Sequence, residues 1–181
     1  MTRLLALRNR QRVRPVNLRL LRRVAAWAIA ELGSAHSHEL CIHLVTAREM
    51  AGVNQAFLNH SGSTDVITFD HSTMQLSSCH PQRPARPRTA VPKNRRVQPA
   101  VLPPLHGEIY ISLADAVSQA RTFAVTWQSE LVRYLLHALL HLRGFEDRSA
   151  AARRRMKREE NRLLRLAARQ FRFRDLARRK P

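Results

Sequence analysis

The sequence predicts an α+β domain, on three observations. Short stretches at His38–Val45, Asp65–Phe69 and Gly107–Ser112 carry the alternating or β-branched pattern of strands. Longer stretches with helical spacing each follow a residue suited to cap a helix. Strands and helices succeed one another without strict alternation, which favours α+β over a regular α/β repeat. The 181 residues suffice for one domain with a real core.

Residues 3–8 read as a short strand. Asn17 caps a helix over 18–32, with Leu21, Val24, Ala25, Ala28 and Leu32 on one face and Gly33 at its end. Leu40, Ile42 and Leu44 alternate with other residues in a half-buried strand, 38–45. Thr46-Ala47-Arg48-Glu49 is a capping-box sequence opening a helix to Phe57. After the turn-like Ser61-Gly62-Ser63, Asp65–Phe69 reads as a strand. Residues 71–104 hold seven of the nine prolines and six basic residues, and are expected to form a mobile surface insertion. Gly107–Ser112 is the next strand, and Ser112 caps a helix to Phe123. A further helix spans 127–142 and stops at Gly144; Ser149 caps a last one, basic on its outer side from Arg153 to Arg165. Residues 1–170 are thus expected as a single domain and 171–181 as a basic C-terminal tail.

The formal charge is +19, and its distribution is uneven. Residues 1–23 hold eight Arg and no acid, 71–103 six basic residues and no acid, and 148–181 fourteen basic residues and three acids. The intervening blocks, 24–70 and 104–147, are net negative at −4 and −2. An acidic body with basic flanks points to a polyanionic partner, nucleic acid foremost. No apolar run approaches the roughly 20 residues of a membrane span. Cys41 and Cys79 cannot build a disulfide framework, which fits a reducing, cytoplasmic compartment. Residues 1–23 lack the serines of a transit peptide and the apolar core of a secretory signal, so they are expected to belong to the mature protein.

Chemistry concentrates in one string, His137-x3-His141-x2-Gly144-x2-Asp147. Four residues apart on a helix, the two imidazoles share a face and can bind one ion from a rigid support. Gly144 lets the chain turn back so that Asp147 arrives as a third ligand, the donor set of a Zn²⁺ site with an open position. One Zn²⁺ per chain is expected. Ala138 stands where a peptidase of the HExxH type needs its Glu, which argues against a protease.

The stretch Leu135–Asp147 resembles the H-x3-H-L-x-G-Y-D-H signature of the YbeY family of metal-dependent endoribonucleases. Thr64-Asp65-Val66-Ile67-Thr68-Phe69 and Gly107-Glu108-Ile109-Tyr110-Ile111-Ser112 resemble two further motifs of that family, in the right order. The resemblance covers about residues 17–170. It implies a zincin-like domain with a small mixed sheet of about four strands. It also implies a single-strand-specific endoribonuclease of ribosomal RNA maturation, acting at the 3′ end of 16S rRNA in ribosome biogenesis. Ribosomal RNA and the small ribosomal subunit are the implied partners, and a monomer is expected. Two positions depart from the family pattern: Asp147 replaces the third histidine ligand, and Leu58 replaces an Arg. No Lys or Arg occurs between Glu49 and Gln82 to take that place. Glu146 is the expected general base, and Thr68 lies on a strand expected to flank the cleft. Arg153, Arg154, Arg155 and Arg158 are the expected RNA contacts. The alternative is a weakly catalytic or non-catalytic RNA-binding assembly factor with a structural metal. Phe171 and Phe173, interleaved with Arg169, Arg172 and Arg174, serve either base stacking or packing of the terminal segment on the core.

Overall fold

Alternation lays Leu40, Ile42 and Leu44 on one face of the strand His38–Val45 and Ile109 and Ile111 on the same face of Leu105–Ser112, all at 0–2% exposure. That apolar face is the floor of the core. A computed structural model describes residues 2–34, 37–59, 61–72 and 103–177. In chain order the elements are β1 (Arg3–Asn9), α1 (Leu18–Glu31), β2 (His38–Val45), α2 (Ala47–Leu58), β3 (Val66–Asp70) and β4 (Leu105–Ser112). Then follow α3 (Leu113–Thr122), α4 (Trp127–Leu142), α5 (Ala150–Gln170) and a 3-10 turn, Phe173–Leu176. The α+β expectation holds, with four strands in the order β1-β2-β4-β3. The first three run parallel, and β3 alone is antiparallel, to β4.

Each helix begins at a side chain that accepts one of its free amides. Asn17 Oδ1 accepts from Leu20 N at 3.1 Å, Thr46 Oγ1 from Glu49 N at 3.1 Å, and Ser112 Oγ from Asp115 N at 3.3 Å. Thr126 Oγ1 accepts from Ser129 N at 3.2 Å and Ser149 Oγ from Ala152 N at 3.1 Å. Helices α1 and α4 pack on the apolar face of the sheet. Leu21, Val24, Ala25, Ala28 and Ile29 of α1 are buried, as are Leu131, Val132, Leu135, Leu136, Leu139 and Leu140 of α4. At Gly107 a Cβ would collide with the carbonyl oxygen of Phe69, so the close β3–β4 approach that carries the site's rim requires glycine there.

The C-terminal segment corrects an expectation. Residues 171–177, read from sequence as the start of a basic tail, dock on the core. Phe171 is buried, edge-on to Trp27 at 6.0 Å between ring centroids, with the Arg23 guanidinium 5.8 Å from its ring centre. Leu176 is fully buried, its carbonyl accepts from Asn17 N at 2.8 Å, and Val16 forms a bridge to Ala177. The apolar gain of burying these side chains outweighs the charge of their neighbours. The expected insertion, 71–104, falls for residues 73–102 outside the described residues. Its described ends are tied down: His71 N donates to His106 O at 2.8 Å, and Arg143 Nη1 to the Pro103 carbonyl at 2.6 Å. Among the described residues no helix is long and apolar enough to cross a membrane.

Candidate metal centre

Helix α4 is buried over most of its circumference, so the side chains it aims outward are held on a stiff support. His137 and His141 leave it one turn apart and meet at their tips. Their Nε2 atoms are 3.1 Å apart, with ring planes 87° to each other. The outer nitrogens are already engaged. His137 Nδ1–H donates to Glu160 Oε2 at 3.1 Å, and His141 Nδ1–H donates to the Phe145 carbonyl at 3.0 Å. With the protons on Nδ1, two Nε2 lone pairs face one another across 3.1 Å, an arrangement that repels unless a cation lies between them.

The third donor arrives through the turn after α4. Gly144 adopts φ 79°, a left-handed conformation that suits glycine, and its N–H closes on His141 O at 2.8 Å. Asp147 then returns over the helix end. Ligand atoms of His137, His141 and Asp147 all lie within 4.8 Å of one another. Two imidazoles and a carboxylate with open space beside them fit a zinc-type divalent ion with a free coordination position. Burial and the neighbouring His137 hold the His141 imidazole below its ordinary pKa, against the pull of Asp147, the Phe145 carbonyl and Asp65. The neutral, metal-binding form is therefore the one favoured at neutral pH.

Behind the ligands stands Glu160, a buried carboxylate from α5 that the sequence reading did not single out. Besides His137 it accepts from Arg133 Nη1 at 2.6 Å and Lys157 Nζ at 2.8 Å. Burial alone would raise its pKa, but the bonds from His137, Lys157 and Arg133 win and lower it to about 2. Glu160 is thus an anion that fixes the ring orientation and tautomer of His137. Arg133 is held from its other side by Glu130, Nε to Oε1 at 3.1 Å.

A cleft of about 520 Å³ opens over His137. One wall is the segment leading into β3, where Ser63 Oγ donates to Asp115 Oδ2 at 2.6 Å and Asp65 Oδ1 accepts from Val66 N at 2.9 Å. Ser63, Thr64 and Asp65 line this wall, whereas Thr68 does not. The other walls carry Phe123 from the end of α3, Tyr134 and Arg133 from α4, and Lys157 and Glu160 from α5. Burial, followed by the carboxylates of Asp65, Glu130 and Asp115, raises the Tyr134 hydroxyl pKa, so it stays a neutral phenol. A second groove of about 410 Å³ shares His137, Lys157 and Glu160 and adds Asp147, Arg153 and Arg154.

Of the other residues singled out from sequence, Glu146 lies apart from the cleft. It is exposed and lines a separate, smaller pocket with Gly144, Phe145, Ala152 and Arg155, and it lines neither groove that reaches His137. Glu146 and Asp147, though adjacent, line different pockets. The four arginines separate as well. Arg153 Nη1 donates to the carbonyls of Asp147 and Arg148 at 2.9 and 3.1 Å, clamping the ligand loop. Arg155 lies 5.1 Å over the Phe145 ring, Arg154 lines the second groove, and Arg158 is exposed. Leu58 is the last residue of α2, and His60 lies outside the described residues. The cations that enter the cleft are Arg133 and Lys157 instead, from α4 and α5.

Comparison with known proteins identifies relatives of the chain. The profile of the family described as Endoribonuclease YbeY matches residues 6–168. An "Endoribonuclease YbeY" of Chlorobium phaeovibrioides is 29% identical over 119 residues, 66% of this chain and 62% of that protein. One of Anaeromyxobacter sp. is 33% identical over 147 residues, 81% of this chain and 63% of the relative. One of Parabacteroides distasonis is 27% identical over 143 residues, 78% and 81% of the two chains. The chain spans about three fifths of the length of the first of these relatives. The solution structure of TM1509 from Thermotoga maritima superposes with a TM-score of 0.58 at 19% identity, covering 98% of both chains, and so shares the fold. The chain belongs to the YbeY family.

Proposed function

We infer that this member of the YbeY family is a metal-dependent hydrolase that cleaves single-stranded RNA internally, with His137, His141 and Asp147 as the metal ligands. The observation that carries the reading is the pair of opposed Nε2 atoms, 3.1 Å apart, with both Nδ1 atoms already engaged and Asp147 in reach. Zn²⁺ is the ion that suits two imidazoles and one carboxylate. When bound, it supplies Lewis acidity, polarising a phosphodiester oxygen and acidifying water toward a pKa of about 7.

The chain's own groups do the rest. Glu160 and the Phe145 carbonyl keep both imidazoles in the ligating tautomer. Arg133 and Lys157, the cations on the cleft lining, are bonded to Glu160 and stand in reach of a substrate phosphate, in the role left open by Leu58. Among carboxylates on the cleft wall, Asp65 is the one whose field reaches His141, and it accepts a proton from the attacking water. The exposed arginines of α5, Arg154 and Arg158 among them, hold flanking phosphates without reading sequence. Ribosomal RNA of the small subunit, processed at the 3′ end of 16S rRNA, is the substrate the family membership favours. A cytoplasmic monomer fits that role.

The test is to purify the protein, measure its bound metal and incubate it with single-stranded and structured RNA, with and without chelator. Cleavage of the single strand that chelator stops, and that His141→Ala lacks, is the expected result. Tight RNA binding without cleavage, unchanged by that substitution, would overturn the reading in favour of a non-catalytic assembly factor.

A further inference from the structure

An aromatic ring lines the cleft and is largely exposed among the described residues. Phe123 is 65% exposed, yet it lines the same cavity as His137, Arg133 and Lys157. Its backbone is rigid. Phe123 N donates to Gln119 O at 2.9 Å and Val125 N to Ala120 O at 3.0 Å, closing the end of α3. Between them Ala124 takes φ 52°, a left-handed conformation in which a Cβ is strained, and the chain reverses at once into the Thr126 cap of α4. Phe123 is therefore fixed at a corner between two packed helices instead of folding back onto the core.

We propose that Phe123 is a base-stacking platform at the rim of the cleft, and that it selects single-stranded RNA by holding an unpaired base beside the cleaved phosphodiester. The inference rests on the RNA-cleavage reading and names the residue that reads strandedness. A base within a duplex has both faces covered by its neighbours, so only an unpaired base offers a free face to the ring. The cleft's volume, about 520 Å³, falls within the ordinary range of small-ligand sites and suits a nucleotide. Within this one cavity the work then divides: Phe123 takes the base, while Arg133 and Lys157 meet its phosphate. The backbone that carries the ring is held in place before binding, so no loop has to order when a base settles on it.

The experiment compares wild type, Phe123→Ala, Phe123→Trp and Phe57→Ala. Phe57 is a control, 67% exposed but on α2 and away from the cleft. Affinity and cleavage are measured on a single-stranded RNA oligomer, and affinity also on a strand of the same length with abasic sites. Phe123→Ala is expected to weaken binding of the oligomer by roughly five- to a hundredfold, the usual loss of one stacked base. Phe123→Trp should retain binding, Phe57→Ala should match wild type, and the abasic strand should bind wild type and Phe123→Ala alike. Cleavage by wild type with unchanged binding and cleavage in Phe123→Ala would overturn the platform alone, and assign the ring to a protein contact. Wild type that neither binds nor cleaves RNA would overturn both this inference and the function beneath it.

Discussion

Helices α4 and α5 lie against each other, yet they are built on opposite plans. Ten of the sixteen residues of α4 are buried, against four of twenty-one in α5. The four, Met156, Glu160, Leu163 and Ala167, fall on one stripe, and arginines fill much of the remaining surface. Helix α4 is enclosed by α1, α3, α5 and the sheet, which gives its histidines a support that cannot rotate. Helix α5 touches the core along one line and leaves a surface dense in arginine. In the proposed reading, chemistry and polyanion capture fall mainly on different helices, and Glu160 is where they join: a carboxylate of the basic helix orienting a histidine on the buried one.

Removing a ligand from α4 is the most severe test of this division. His141→Ala deletes one of three donors, and its loss of metal should exceed the roughly 100-fold typical for an outer partner. RNA affinity at low salt, which does not depend on the metal ligands in the proposed reading, should barely change in a filter-binding assay; a parallel collapse of both would break the division. Acid probes the joint next. The folded Glu160 carboxyl titrates near 2 against an ordinary value of 4.5. Its folded pKa is depressed, so the stabilisation is complete above about pH 5 and disappears as pH falls toward 2. On the order of 3 kcal/mol is at stake. Urea unfolding of wild type against Glu160→Gln from pH 7 to pH 3 should show the gap between them narrowing as the pH falls. A gap that is constant with pH would mean that the anion is not what α5 contributes.

Glu160→Gln has a smaller effect on the site itself. It should reduce metal affinity roughly 10- to 100-fold while the circular dichroism spectrum stays that of wild type. Competition with a chromogenic chelator measures this, and unaltered affinity would mean that His137 needs no orienting partner. Smallest is the outer face of α5. Arg154→Ser with Arg158→Ser should lower the slope of log affinity against log salt by about 1.4 on single-stranded RNA, roughly 0.7 per phosphate contact. Metal content should stay that of wild type.

The helix starts were legible because caps are local: Asn17, Thr46, Ser112 and Ser149 each act within three residues of themselves. The histidine pair was legible for the same reason, since four residues on a helix determine a shared face. Glu160 escaped notice because its partner lies 23 residues away, and in sequence it is one acid in a run of arginines. Its position on the buried stripe with Met156 and Leu163 is the only local sign it gives. Glu146 drew attention through adjacency to Asp147, but the two line different pockets. The terminal Phe171 carried a pattern of alternating aromatic and Arg that fits nucleic-acid contact as well as packing. Trp27, 144 residues earlier in the chain, decides in favour of packing.

The hairpin of β3 and β4 has a consequence for how this protein can be altered. These strands are antiparallel neighbours, and the 71–104 stretch runs between their ends, which His71–His106 and Arg143–Pro103 bonds hold together. Closing a loop between fixed ends depends only logarithmically on its length, about 0.6 kcal/mol per doubling. The length of chain at that junction should therefore be changeable at little cost in stability, provided the His71–His106 and Arg143–Pro103 bonds are kept. Deleting residues 74–102 should weaken RNA affinity and flatten its salt dependence, yet leave metal stoichiometry at the wild-type value. If the proposed reading holds, substrate capture and the metal centre can in this way be tuned one at a time, by selection or by design.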